Sequence, residues 1–166
     1  MLEVGRNCSH IAHADRVAIL VENDTYFSVV EEVLERAEKS VLLIAIDGMG
    51  GHSDGAGAAQ LAVETVRDAF NRVQHPVFDP IGFLHLAIGR AYANLVLLGA
   101  NQSMEARPRA TCALCLVQDG AAYFAHVGDS RIYHLRQGKV RERTRDHSHV
   151  ELLLQDGVIT EADIAS

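Results

Sequence analysis

Three short stretches carry residues whose types and spacing could do chemistry: DGMGGH at 47–52, VGDSR at 127–131 and TRDHS at 144–148. In the first, Asp47 stands where an uninterrupted apolar run, VLLIAI, ends and glycines follow. A carboxylate at a strand end can hold a hard cation, because it supplies charge while glycines let the backbone approach closely and free carbonyls add oxygens. The plainer reading of the same residues is turn capping and chain reversal. In the second stretch Asp129 lies between Gly128 and Ser130, where a turn residue is the plainer assignment. In the third, Asp146 or Ser148 can N-cap a following helix.

The elements that must position these stretches are legible from periodicity. Residues 16–24 read as a strand. Tyr26, Phe27, Val30, Val33, Leu34 and Ala37 then recur at helical spacing behind an N-cap at Asp24 or Thr25. Residues 41–46 predict a strand buried on both sides. Residues 47–57 hold five of the 13 glycines and predict a loop. A second helix follows through Ala59, Ala62, Val63, Val66, Ala69, Phe70 and Val73. Asp79 followed by Pro80 is an N-cap with proline at the first helical position, opening a third helix with Ile81, Leu84, Ile88, Ala91, Tyr92, Leu95 and Leu98 on its apolar side. Residues 101–110 predict a loop. From Thr111 the period becomes two, with strands over 111–118, 121–128, 132–135 and 139–144 joined by turns at 119–120 and 137–138. This predicts one antiparallel meander. A short helix over 148–156 ends with Gly157 at C′, and Thr160 with Asp163 forms a capping-box variant.

Composition narrows the function classes. The chain has 166 residues, 22 acidic and 15 basic side chains and a net charge of −7, which leaves no electrostatic footprint for nucleic acid or anionic lipid. Hydrophobic residues at 48% and charged residues at 22% describe a globular chain rather than a disordered one. No unbroken apolar run reaches the roughly 18–20 residues of a membrane span, and the first residues lack a secretory pattern, so a soluble cytoplasmic protein is expected. Three cysteines are too few for a disulfide scaffold. Cys112 and Cys115 fall within a strand pattern, where residues three apart face opposite sides; they are expected to be small buried hydrophobes rather than a zinc pair. Cys8 is expected to be reduced. The nine histidines scatter without ligand spacing. His52 reads as a loop residue near the glycines, His126 as a hydrogen-bonded structural residue, and His10 and His13 as lacking helical context. Arg107 and Arg109, flanking Pro108, read as solvated charge.

Taken together and in order, DGMGGH, VGDSRIYHLRQGK and TRDHS with the following ELLLQDGVITEAD resemble the metal-dependent protein phosphatases (PPM type, bacterial serine/threonine branch). The resemblance covers about 47–166, including the QLAVETV helix and the TCALCLV strand. It implies an α+β fold, a four-layer α-β-β-α sandwich with two antiparallel sheets face to face and helices outside both. It also implies two Mn²⁺ or Mg²⁺ ions, with a third in many relatives, and a metal-bridged water that attacks phosphoserine or phosphothreonine of a phosphoprotein. By position, Asp47 would bridge both metals and act catalytically, Gly48 would offer its backbone carbonyl, and Asp129 would help hold the third, weaker ion.

Two departures from that pattern set further expectations. Family members continue into strands carrying a Ser-Asp-Gly stretch and an Asp-Asn pair, so this sandwich is expected to be truncated and its carboxylate set incomplete. Near the start the family shows an arginine and Asn-Glu-Asp. Here the sequence is Glu22, Asn23 and Asp24, with Arg16 too far upstream to serve as the phosphate clamp. Under the resemblance Asp24 would stand in as the displaced metal acid, with Glu22 the weaker candidate. Residues 1–46, with GRNC, HADRVAILVENDTYF and ERAEKSVLLIAID, resemble the opening strand-helix-strand of the phospholipase D family, without its His-x-Lys-x₄-Asp motif. The two resemblances meet at Ile46 and Asp47, which reads as a fusion of a 1–46 segment with an incomplete 47–166 phosphatase domain. The function implied is hydrolysis of phosphoserine and phosphothreonine. The alternative is a catalytically incomplete phosphatase-like binding module or fusion fragment. The oligomeric state is not written in the sequence.

Overall fold

The structure is a computed structural model that describes residues 3–4, 9–10, 40–49, 55–137, 139–160 and 163. The strand over 16–24, the helix over 26–37, Cys8, His13, Arg16, Glu22, Asp24 and His52 lie outside the described residues. The main sheet is antiparallel and contains β1 (Glu3–Val4), β2 (Ser9–His10), β3 (Val41–Ala45), β6 (Cys112–Gln118) and β7 (Ala121–Val127). Its order is β1-β7-β6-β3, with β2 also on β7. Two small pairs complete the strands: β4 (Gly48–Met49) with β5 (Arg109–Ala110), and β8 (Tyr133–Arg136) with β9 (Lys139–Arg143). The helices are α1 (Gly55–Asn71), α2 (Pro80–Leu98) and α3 (His149–Gln155).

All seven residues of β6 are buried, as a central strand covered on both faces requires. Alternation sorts them. Cys112, Leu114 and Leu116 join the core under the helices with Ala125 of β7 and Leu42 and Ile44 of β3, whereas Ala113, Cys115 and Val117 take the other face. The two cysteines therefore point apart, as expected. Both are free, and burial pushes each thiol up to about 12, which makes them unreactive. β3 departs from expectation. Its five residues are only half-buried, because among the described strands it pairs on one side alone, with β6.

The helices pack on the sheet and on each other. Ala62, Val66 and Ala69 of α1 meet Phe83, Leu84, Ala87, Ile88 and Ala91 of α2 in one core. Small residues on α1 let the two helices lie close, and Asn94 Nδ2 donates across them to Thr65 Oγ1 at 2.9 Å. α1 begins at Gly55, inside the stretch expected to be loop. Glycine-rich sequence suggested a turn, but the helix gains its first turn from packing beside β4. α2 starts where expected: Pro80 occupies the first turn, and Asp79 Oδ1 accepts from Gly82 N at 3.0 Å. Among the described residues α2 is long and apolar enough to cross a bilayer by length and composition alone, although His85, Arg90 and Asn94 interrupt its apolar run. Its inner side is nonetheless committed to the core, while Tyr92 and Leu98, expected inside, are exposed.

The strands after Thr111 do not form one meander. β6 and β7 make a hairpin with Asp119 and Gly120 both at positive φ, +52° and +72°, as a two-residue primed turn demands. β8 and β9 make a second hairpin that belongs to a separate sheet. The chain leaves the first sheet at Gly128 to Arg131, so the VGDSR stretch is the crossing between sheets rather than a hairpin turn. α3 follows its prediction closely: Ser148 Oγ accepts from Glu151 N at 3.1 Å. At the other end Gly157 N bonds Leu154 O at 3.1 Å and Val158 N bonds Leu153 O at 2.9 Å, a Schellman closure with Gly157 at φ +68°. The Thr160 and Asp163 pairing is present, with Thr160 N and Oγ1 both donating to Asp163 Oδ2 at 2.8 and 2.7 Å.

Gln118, at the end of β6, acts as a backbone surrogate for the 72–79 connection. Its Nε2 donates to Val77 O at 2.8 Å, and its Oε1 accepts from Val77 N at 2.9 Å and from Ser40 Oγ at 3.1 Å. Gln118→Ala strands a buried N–H and a buried carbonyl, at about 1–3 kcal/mol for such groups. The expected outcome is a loss of about 2–3 kcal/mol, read as a lower urea midpoint with unchanged m-value.

Candidate metal centre

The three chemical stretches converge at one end of the main sheet, and the sheet register explains why. Ala45 pairs with Ala113 and Cys112 pairs with Val127. Continuing both registers outward places Asp47 and Gly128 on either side of Thr111. Hydrogen bonds bear this out. Thr111 N donates to Asp47 O at 2.8 Å, and Asp47 N donates to Thr111 Oγ1 at 3.3 Å. Thr111 Oγ1 and Ser130 Oγ then share a hydrogen bond at 2.5 Å. Asp47 is thus tied through one residue to the turn that carries Asp129.

Two glycines make this convergence possible. Gly128 has φ +101°, and a Cβ there would lie 2.8 Å from Thr111 Cγ2. At Gly48 a Cβ would lie 1.8 Å from the Gly55 carbonyl oxygen, so the glycine lets β4 pass against the first turn of α1. Asp47 and Gly48 are half-buried, and Asp129 is exposed beside the buried Ser130.

The TRDHS stretch is held to the same corner. His147 N donates to Gly128 O at 2.9 Å, and the rings of His126 and His147 stand 4.4 Å apart. The His126 Nε2 lies 2.6 Å from Arg145 O, so it carries a proton and donates it; the expected structural role of His126 is borne out. Of the two candidate caps, Ser148 takes the helix and Asp146 takes Arg131. Arg131 Nε and Nη2 reach Asp146 Oδ1 and Oδ2, both at 2.7 Å, a bidentate fork. Hydrogen bonding by the guanidinium holds the Asp146 carboxyl below its ordinary value, and the same bond raises Arg131. A carboxylate depressed in the folded state contributes stability above its unfolded value of about 3.9, and that contribution is lost as pH falls through the lower folded value. Asp146→Asn is therefore expected to reduce stability at neutral pH and to flatten the acid limb of a melting-temperature profile below about pH 4.

Arg109, exposed, donates to Met104 O at 3.1 Å. Arg107 departs from the expected solvated charge: its Nε is buried without a hydrogen-bond partner. Sequence reasoning did not single out Thr111, Ser130 or the Arg131–Asp146 pair. Ser130 and Arg131 lay inside a recognised stretch, but Thr111 could be found only by pairing two strands far apart in the chain.

As for donors, Asp47, Gly48 and Asp129 offer hard oxygens, the kind that Mn²⁺ and Mg²⁺ prefer. In number they form a partial shell: among the described residues, His, Cys, Asp and Glu make no group of three placed to hold a metal.

The fold is similar to that of serine/threonine phosphatases of known structure. It superposes on the S. agalactiae serine/threonine phosphatase with a TM-score of 0.68 at 24% identity, covering 100% of this chain and 62% of that one. The catalytic domain of the phosphatase PstP in complex with two manganese ions matches at 0.66 and 22% identity, covering 98% and 64%. Residues 22–151 match the family model for protein phosphatase 2C, and the chain belongs to that family. The match begins upstream of Asp47, within the segment 1–46. The serine/threonine phosphatase stp of Listeria innocua is 30% identical over 133 residues, 79% of this chain and 53% of that protein. A putative protein phosphatase 2C-type of Streptococcus pyogenes is 32% identical over 126 residues, 75% of this chain and 51% of that protein. The chain therefore spans about half the length of the curated relatives it matches.

Proposed function

We propose that the chain carries a phosphatase centre hydrolysing phosphoserine and phosphothreonine in proteins, with Asp47, Gly48 and Asp129 as oxygen donors to Mn²⁺ or Mg²⁺. The observation that carries this reading is the Asp47–Thr111–Ser130 connection, which brings two separate acidic stretches to one sheet end. Bound divalent cations would supply an activated water and neutralise charge on the phosphoryl oxygens. The chain's own part is to hold the Asp47 carboxylate at the sheet end, present the Gly48 carbonyl beside it and keep Asp129 at the turn. Asp24, outside the described residues, is proposed as a further carboxylate of the same shell. Segment 1–46 is proposed as the part of the chain that contributes that acid. Two free buried thiols are compatible with a reducing, cytoplasmic setting.

The partial donor set favours a second reading, a module that binds phosphoprotein without turning it over. A phosphothreonine peptide incubated with the chain and Mn²⁺ separates the two. Release of phosphate that stops on chelation supports the enzyme. Saturable peptide binding without release supports the module.

A further inference from the structure

We infer that Thr111 is a positioning residue for the metal centre, setting the distance between Asp47 and the turn that carries Asp129. The inference rests on the metal-centre reading above and names the residue that pre-forms it. Thr111 engages Asp47 twice, through its backbone N–H and its hydroxyl, and engages Ser130 through the same hydroxyl. Both hydroxyl-bearing residues are 1% exposed, so water cannot replace either bond, and a buried hydroxyl without a partner is costly. The Thr111 methyl fills the space against Gly128 that a side chain at 128 would need. One side chain thereby contacts both strand ends from which the donors emerge, after β3 at Asp47 and after β7 at Gly128 and Ser130. Two carboxylates that repel one another stay near a common point only if their backbones are held there, and outer partners of this sort tune a site by orienting its ligands.

Two substitutions divide the hydroxyl from the methyl. Thr111→Val keeps the shape and the contact with Gly128 but removes the hydroxyl. Thr111→Ser keeps the hydroxyl and removes the methyl. The probe is MnCl₂, titrated calorimetrically into the full chain well below the melting temperature, which is measured in parallel. Thr111→Val is expected to weaken Mn²⁺ binding about tenfold or more, the usual effect of losing an outer-shell partner. Thr111→Ser is expected to melt earlier yet bind Mn²⁺ as the parent does. A purely structural role would lower both melting temperatures and leave both affinities alone, and that result overturns the inference. Should Thr111→Val fail to fold, Ser130→Ala breaks the same hydroxyl pair; weakened binding supports the inference, and unchanged binding overturns it. A parent chain that takes up no Mn²⁺ would fell the metal-centre reading itself, and the positioning role with it. That result is distinct from a parent that binds and a Thr111→Val that binds equally.

Discussion

Asp47→Asn is expected to lower Mn²⁺-dependent phosphate release by orders of magnitude while leaving a folded protein. Asparagine keeps the shape of the side chain and both backbone hydrogen bonds between position 47 and Thr111. It removes the negative charge that a divalent cation needs, and charge count is what tunes such sites. A cation's stabilisation of a phosphoryl transition state amounts to several kcal/mol. At a factor of ten per 1.36 kcal/mol, the loss should be about 10²–10³-fold in kcat/KM. The measurement is phosphate release from a phosphothreonine peptide across an Mn²⁺ series, alongside circular dichroism. If the asparagine variant turns over at the parent rate in saturating Mn²⁺, Asp47 is not a ligand and the proposed centre is elsewhere.

Gly48→Ala is expected to cost more stability than alanine at Gly82, Gly89, Gly99, Gly128 or Gly157. The added carbon would sit 1.8 Å from the Gly55 carbonyl oxygen and 2.6 Å from its carbon. Both are backbone atoms in the first turn of α1, so relief requires the helix to move away from β4. Overpacking that forces backbone shifts costs about 3 kcal/mol at its upper range. Gly89, in the interior of α2, is the control: a Cβ there meets nothing within 4 Å. Gly89→Ala should stabilise by about 0.5–1 kcal/mol, the ordinary helix preference of alanine over glycine. Urea denaturation of the two variants reads both numbers. Equal midpoints would mean that α1 does not press on β4.

Much of the fold was legible because local patterns report local facing. The period of two over 111–118 and 121–128, with Asp119 and Gly120 between, was enough to place β6, β7 and their turn. Asp79 and Pro80 placed the start of α2, and Gly157 the end of α3, since caps depend on neighbours in sequence. Facing also decided that Cys112 and Cys115 diverge. The misreadings share one cause, which is competition from distant contacts. Glycines at 48–57 favour loop in isolation, yet Gly55 starts a helix because β4 packs beside it. The strands after Gly128 alternate like those before it, and alternation does not say whether successive hairpins share a sheet.

From residue types and spacing alone came the family resemblance, the acidic stretches and the kind of cation they suit. Which of those stretches meet was decided only in three dimensions. Asp47, Thr111 and Gly128 become neighbours because β3 and β7 flank β6 in a register that packs Leu42 against the buried Leu114 and Ala125. A slip of one residue would turn those side chains to the opposite face. The energy of the core therefore selects the alignment that brings Thr111 between the two donor-bearing ends, and no pattern within a single segment carries that information.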